Sequence, residues 1–236
     1  MSSPSSSLKP AWAYRPGPDI AFHAPAGLRA AQKLAKQAAM VGVNAARTGI
    51  SETEVEQQVH DYLLSQGAQG IWTITNVGLG ENTRVCFPTQ GPGTQQAAAQ
   101  DVLMVDVHPI TADGSWGDCT RCAVMGDYPE AAQALKDLER IHYETLAQCR
   151  PGMPASELFG LSHERLTAEG FILLDLLGNI GHSLTAGAAY THGFIDAGNT
   201  TPMWGAWAIE PFAQRGEVAV KVEDVVWFGR DGCETL

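Results

Sequence analysis

From residue 27 onward the apolar positions recur at helical spacing. The stretch "GLRAAQKLAKQAAMVGVNAAR" (27–47) is rich in alanine and predicts a long helix. In the next stretch, Ser51 followed by Glu54 reads as a capping box. Val55, Val59, Tyr62 and Leu63 then form one apolar stripe, and Gly67 is placed to end a second helix. Extended, turn-rich chain is predicted over "IWTITNVGLGENTRVCFPTQGPG", followed by a buried hairpin, "MVDVHPITADGSWGDCTRCAVMGD" (104–127). That hairpin carries two carboxylates where apolar residues are expected, Asp106 and Asp118.

After Tyr128 the order starts again. Residues 129–150 predict a long helix with Pro129 in its first turn, 151–170 a second helix, and "FILLDLL" a strand. A shift of 103 positions brings Gly49 onto Gly152, His60 onto His163, Leu63 onto Leu166 and Gly67 onto Gly170. The second half also has its own acidic pair in apolar strands, Glu210 in "AWAIEPFA" and Glu223 in "VAVKVEDVVWF". These follow Asp106 and Asp118 by 104 and 105 residues. Such a repeat predicts an α+β fold with an internal pseudo-twofold relation.

The net charge of −11 argues against nucleic acid and anionic membranes as partners. The first 26 residues are rich in Ser and Pro and lack an apolar core, so they read as a flexible or surface-packed arm, not a signal peptide. Residues 27–236 form one folded domain on this reading, and the expected location is cytoplasmic. The five cysteines are too few and scattered for a disulfide framework. Cys119 and Cys122, set by alternation on opposite strand faces, read as two reduced thiols.

Isolated buried charge is costly, so a lone buried Asp is ordinarily part of an ion pair. Four carboxylates converging from symmetric positions cannot all stay ionised without cations. Lys221 and Arg121 are the basic residues closest in sequence, and alternation does not require either to face the acids. Divalent metal is then the expected counter-charge. Oxygen-rich ligation with an imidazole suits Mn, Fe, Co or Zn. His182 in "GNIGHSLTAG" is the imidazole candidate, flanked by small residues that permit close approach.

Asp106, Asp118, His182, Glu210 and Glu223 follow the order and approximate spacing seen in the pita-bread metallopeptidases, which include methionine aminopeptidases, aminopeptidase P and prolidase. "VDVHPITADGSWGDCTRCAVMG" resembles that family's two-aspartate hairpin with its D-x-T-R signature. "IGHSL" resembles its glycine-histidine motif, "AIEPF" its I-E-P motif, and "VKVEDVVWF" its last strand. The resemblance spans residues 27–236 and implies helices packed on a curved, mainly antiparallel sheet, in the short form without an extra N-terminal domain. It further implies two divalent ions. Asp118 and Glu223 would bridge them, Asp106 would chelate one, His182 would bind the other, and Glu210 would ligate and relay a proton. A hydroxide between the ions would attack the amide bond.

The substrate-facing positions depart from the family. "NTRVCFPTQGPG" holds no histidine where the peptidases usually have one, and His192, ten residues beyond His182, is followed by Gly193 and expected on a lengthened loop. His108 shares a strand face with Asp106, where the family often has a small residue. It is either a core histidine or, with His192, a donor to substrate oxygen. The leading expectation is a hydrolase cleaving the N-terminal peptide bond of a small peptide. The alternatives are a non-peptidase pita-bread enzyme acting on a small metabolite and a catalytically inert binding module, although no metal ligand is missing. The resemblance leaves room for a homodimer.

Overall fold

The computed structural model describes residues 17–185 and 187–236. Residues 1–16 of the expected N-terminal arm lie outside the described residues. The remainder of that arm packs on the protein. Ile20 and Ala24 are buried beside Val225 and Trp227, whose indole N–H donates to the Ala21 carbonyl at 3.2 Å.

The first half begins with α1 (Ala26–Asn44). Its alanine face, Ala31, Ala35, Ala38 and Ala39, is buried, so the helix backbone lies close to the sheet beneath. The approach is tightest at Gly117, where a Cβ would sit 2.3 Å from the Ala31 carbonyl oxygen. Next comes α2 (Glu52–Ser65), opened by the predicted capping box. The Ser51 amide donates to Glu54 Oε2 at 2.8 Å and the Glu54 amide to Ser51 Oγ at 3.3 Å. Val55, Val59 and Leu63 bury the predicted stripe.

Five strands follow: β1 (Gly70–Ile71), β2 (Asn76–Leu79), β3 (Asp101–Val107), β4 (Pro109–Ile110) and β5 (Cys119–Met125). They form a β2-β3-β5 sheet and a β1-β4 ribbon, both antiparallel. The register sets Asp106 between Asn76 and Thr120.

The second half supplies α3 (Pro129–Leu146), α4 (Ala155–Ala168), β6 (Ile172–Leu173), β7 (Gly181–Thr185), β8 (Ala188–Phe194), β9 (Gly205–Ile209), β10 (Phe212–Arg215), β11 (Val218–Lys221), β12 (Asp224–Phe228) and β13 (Cys233–Thr235). They form a five-stranded sheet, β13-β12-β9-β7-β8, and a three-stranded one, β11-β10-β6, again antiparallel.

The repeat read from the sequence is present in the element order. A shift of 103 residues carries Glu52–Ser65 onto Ala155–Ala168. The neighbours β2-β3-β5 recur as β7-β9-β12, and the β1-β4 ribbon recurs as β6-β10. The fold is therefore α+β with antiparallel sheets, as expected.

Two local expectations are corrected. "FILLDLL" keeps only Ile172–Leu173 as strand. Asp175 turns the chain by accepting from the amides of Leu177 and Asn179 at 2.8 and 3.3 Å, a local bond that competes with a sheet ladder. The segment holding His192 is not a loop but strand β8, paired with β7. Among the described residues, no helix is long and apolar enough to cross a membrane.

Candidate metal centre

Six of the seven side chains singled out in the sequence converge at the junction of the two halves. Asp106 comes from the end of β3, His108 from the residue after that strand, and Asp118 from the residue before β5. His182 lies in β7, Glu210 just beyond β9, and Glu223 between β11 and β12. Asp106, His108, Asp118, His182 and Glu223 are all buried.

The local sequence explains how His182 reaches this depth. Gly181 adopts φ +145°, and a Cβ there would sit 2.1 Å from the Ala208 carbonyl oxygen, so β7 can press onto β9 only with glycine. The His182 Nδ1 lies 3.0 Å from the Ser183 carbonyl. Donation from Nδ1 leaves Nε2 as an acceptor, directed at Asp118 Oδ2 (3.5 Å) and Glu210 Oε1 (3.4 Å). Burial lowers the pKa of His182, which favours the neutral ring that a metal requires.

Among the carboxylates the electrostatics are uneven. Burial, reinforced by Glu223, Asp106 and Glu210, raises the pKa of Asp118 well above the usual carboxylate range. Burial likewise raises Glu223, with Glu210 and Asp106 adding to the effect against Lys221. Asp106 goes the other way. Burial would raise it, but Lys221 and His108 hold it well below the ordinary range.

Lys221 fills an orientation that alternation left open. It does face the acids, with Nζ 2.6 Å from Glu210 Oε2, 3.0 Å from Asp106 Oδ2 and 3.6 Å from Glu223 Oε2. The spacing permits this without requiring it. Lys221 precedes Glu223 by two residues, the same spacing that pairs Asp106 with His108. Arg121 does turn away, bonding Asp224 at 2.8 Å. Thr120 is a further member missed from the sequence, its hydroxyl lying 2.8 Å from Asp106 Oδ1 and 2.7 Å from Glu223 Oε2.

A single ammonium against four carboxylates leaves negative charge to be balanced. The buried oxygens Asp118 Oδ1 and Glu223 Oε1 have no hydrogen-bond partner among the described residues. Two sets of side chains can each place three donor atoms within 4.8 Å of one another: Asp106, His108 and Asp118, and Asp118, His182 and Glu223. Asp118 belongs to both. This carboxylate and imidazole donor set, with orphaned oxygens at its centre, fits divalent cations.

The cluster forms the floor of a cavity of about 240 Å³. Its walls include Trp72, Phe87, Leu177, Tyr190 and Phe194, with Cys86, Asn76 and Asp175 among them. Trp72 packs its edge toward His108 (5.0 Å between ring centres) and His182 (6.1 Å) and stacks on Trp116. Tyr190 has φ +66°, the only positive φ among described non-glycine residues, and its ring lies 4.5 Å from that of His182. His192 stands apart from this group: β8 gives the cavity wall Tyr190 and Phe194.

Comparison with known proteins places this arrangement. YkvY of Bacillus subtilis, itself a candidate dipeptidase, is 30% identical over 224 residues, covering 89% of this chain and 57% of YkvY. The chain thus spans little more than half the length of that relative. The prolidase of Pyrococcus horikoshii superposes with a TM-score of 0.78 at 17% identity, over 89% of this chain and 60% of the prolidase. Methionine aminopeptidase from Rickettsia prowazekii superposes at 0.73 with 15% identity, over 92% of this chain and 98% of that one. At those identities the structures establish the shared pita-bread fold. Residues 26–228 match the sequence profile of metallopeptidase family M24. With the profile running from α1 to the end of β12, through all six of the clustered side chains, the chain belongs to metallopeptidase family M24.

Proposed function

We propose that this protein is a two-metal hydrolase that releases the N-terminal residue of a short peptide. The observation that carries the reading is the convergence of Asp106, Asp118, His182 and Glu210 on one cavity, with Glu223 buried beneath them and two orphaned carboxylate oxygens in the cluster. Asp118, the residue common to both donor sets, would serve both ions together with Glu223, Asp106 would hold one, and His182 the other. When bound, the ions supply an activated water and polarise the scissile carbonyl.

The chain's own residues do the rest. Glu210 is the most accessible of the four acids, its side chain 17% exposed against 3% or less for the others, so it can meet both the attacking water and the departing amine. It carries the proton between them. Lys221 and Thr120 fix Asp106 and Glu223. Trp72, Phe87 and Tyr190 enclose the substrate and exclude water. The small cavity volume suits a dipeptide or similarly short chain.

A second reading draws on those same walls. Cys86 and Phe87 line the cavity from the stretch where the family usually presents a histidine. That favours an M24 enzyme acting on the C–N bond of a small metabolite. Metal analysis of the purified protein, followed by assay on dipeptides, Xaa-Pro peptides and N-acyl metabolites, separates the two. Up to two divalent ions per chain and turnover of dipeptides are expected, with Asp118→Ala and Glu223→Ala losing most metal capacity. Unchanged metal content in both variants overturns the site, and turnover of N-acyl metabolites alone installs the second reading.

A further inference from the structure

In the sequence His108 reads as either a core residue or a donor to substrate. Its geometry fits neither. His108 is 4% exposed, and its Nε2 does not bond a backbone group, as a core histidine would. It lies 3.3 Å from Asp106 Oδ1 and 3.5 Å from Asp118 Oδ1. The second of these is one of the two orphaned oxygens of the cluster. His108 Nδ1 is buried without a hydrogen-bond partner among the described residues, so no second acceptor or donor fixes the tautomer, and the ring can carry its proton on Nδ1 and present the Nε2 lone pair to an ion. Trp72 holds the ring in place: its amide donates to the His108 carbonyl at 3.0 Å and its indole edge packs on the imidazole. Nε2, Asp106 and Asp118 converge closely enough to bind one ion.

We infer that His108 is a metal ligand, giving the ion held by Asp106 and Asp118 an imidazole of its own. The inference rests on the two-metal reading above and extends it. In place of one histidine on one ion, the centre has His182 at one end and His108 at the other. Asp118, common to both donor sets, lies between them. Nitrogen at both ends shifts preference toward Fe, Co or Zn and away from metals content with oxygen alone, such as Mn. A histidine that ligates is also unavailable to bond substrate oxygen, so the cavity loses one of the two oxyanion donors expected from the sequence.

The test is metal binding, read without any substrate. The chelator-stripped protein is titrated with Co(II) by calorimetry. Proton NMR of the loaded form then counts the exchangeable, hyperfine-shifted imidazole N–H signals, one per coordinated ring. Wild type should bind two ions and show two such signals, and His182→Ala should keep one. His108→Ala should weaken one binding step by at least 10–100-fold, the loss typical of even an outer-sphere partner, and leave the other step near its wild-type value. His108→Gln, closer in volume, guards against a folding defect and should also lose one signal. Two bound ions with a single imidazole signal, absent in His182→Ala, overturn the inference while sparing the two-metal reading. Failure of the wild type to bind any ion overturns both.

Discussion

Glu210 differs from its neighbours in being reachable. Asp106, Asp118 and Glu223 are almost fully buried, whereas Glu210 is partly exposed, with one oxygen toward His182 and the other toward Lys221. A proton carrier must touch both donor and acceptor, and of the four clustered acids this one is the most open to an arriving substrate amine. Glu210→Gln keeps the shape and one oxygen for binding but removes the base. Turnover of the best substrate should fall by about 10²–10⁴-fold, with metal stoichiometry close to wild type. Comparing kcat with bound metal in the same preparation checks this, and near-normal turnover with metal retained would exclude the role.

At the level of elements, Asp224 is the fastening that holds the floor together. It opens β12, is buried, and accepts from Arg121 of β5 at 2.8 Å, Lys36 of α1 at 2.7 Å and His142 of α3 at 3.0 Å. Arg121 also donates to the Glu223 carbonyl at 2.6 Å. One carboxylate thus ties strands and helices from both halves at the residue next to a proposed ligand. Removing one partner of a buried ion pair leaves the others uncompensated. Asp224→Ala should therefore destabilise the protein by about 3–5 kcal/mol in urea unfolding. A loss below about 1 kcal/mol would mean that solvent already screens the network.

Across the whole molecule the same joint makes stability depend on pH. Burial lowers the pKa of His142, outweighing its bond to Asp224, so the folded protein keeps the ring neutral. The unfolded chain protonates it near the ordinary value of about 6.5. Below that pH the unfolded state takes up a proton that the folded state refuses, and stability falls as pH drops. Asp224 adds a second loss further down. Burial would raise its carboxyl, but His142, Arg121 and Lys36 hold it well below the usual range, so its contribution is full above about pH 4 and declines below. Asp118 and Glu223, whose raised pKa values act in the opposite sense, are common to both proteins, so from pH 8 to pH 5 the urea midpoint of the wild type should fall relative to that of His142→Gln. Parallel pH profiles for the two proteins would remove His142 as a source of the dependence.

Much of this was legible in the chain because it is written in local periods. The capping box at Ser51, the apolar stripe of α2, Pro129 at the start of α3 and the 103-residue shift each reflect spacing along one segment. The convergence of Asp106, Asp118, Glu210 and Glu223 was expected from the same duplication, since two halves built alike bring equivalent positions together, and His182 from its place between the two acid pairs. Where local bonding competes with a pattern, the sequence misled: "FILLDLL" has the composition of a strand, but Asp175 turns it. What only tertiary structure decided is which side chains meet across the junction. Alternation leaves a strand with two faces and does not say which faces the partner half. So Lys221 was free in the sequence to point either way until β11 was seen to turn it onto the acids. The same holds for His108, whose Nε2 finds Asp118 only because Trp72 and the β3-β5 register fix the ring there. Order along the chain determined the elements and the list of acids. Packing of one half on the other determined their distances, and chemistry depends on distance.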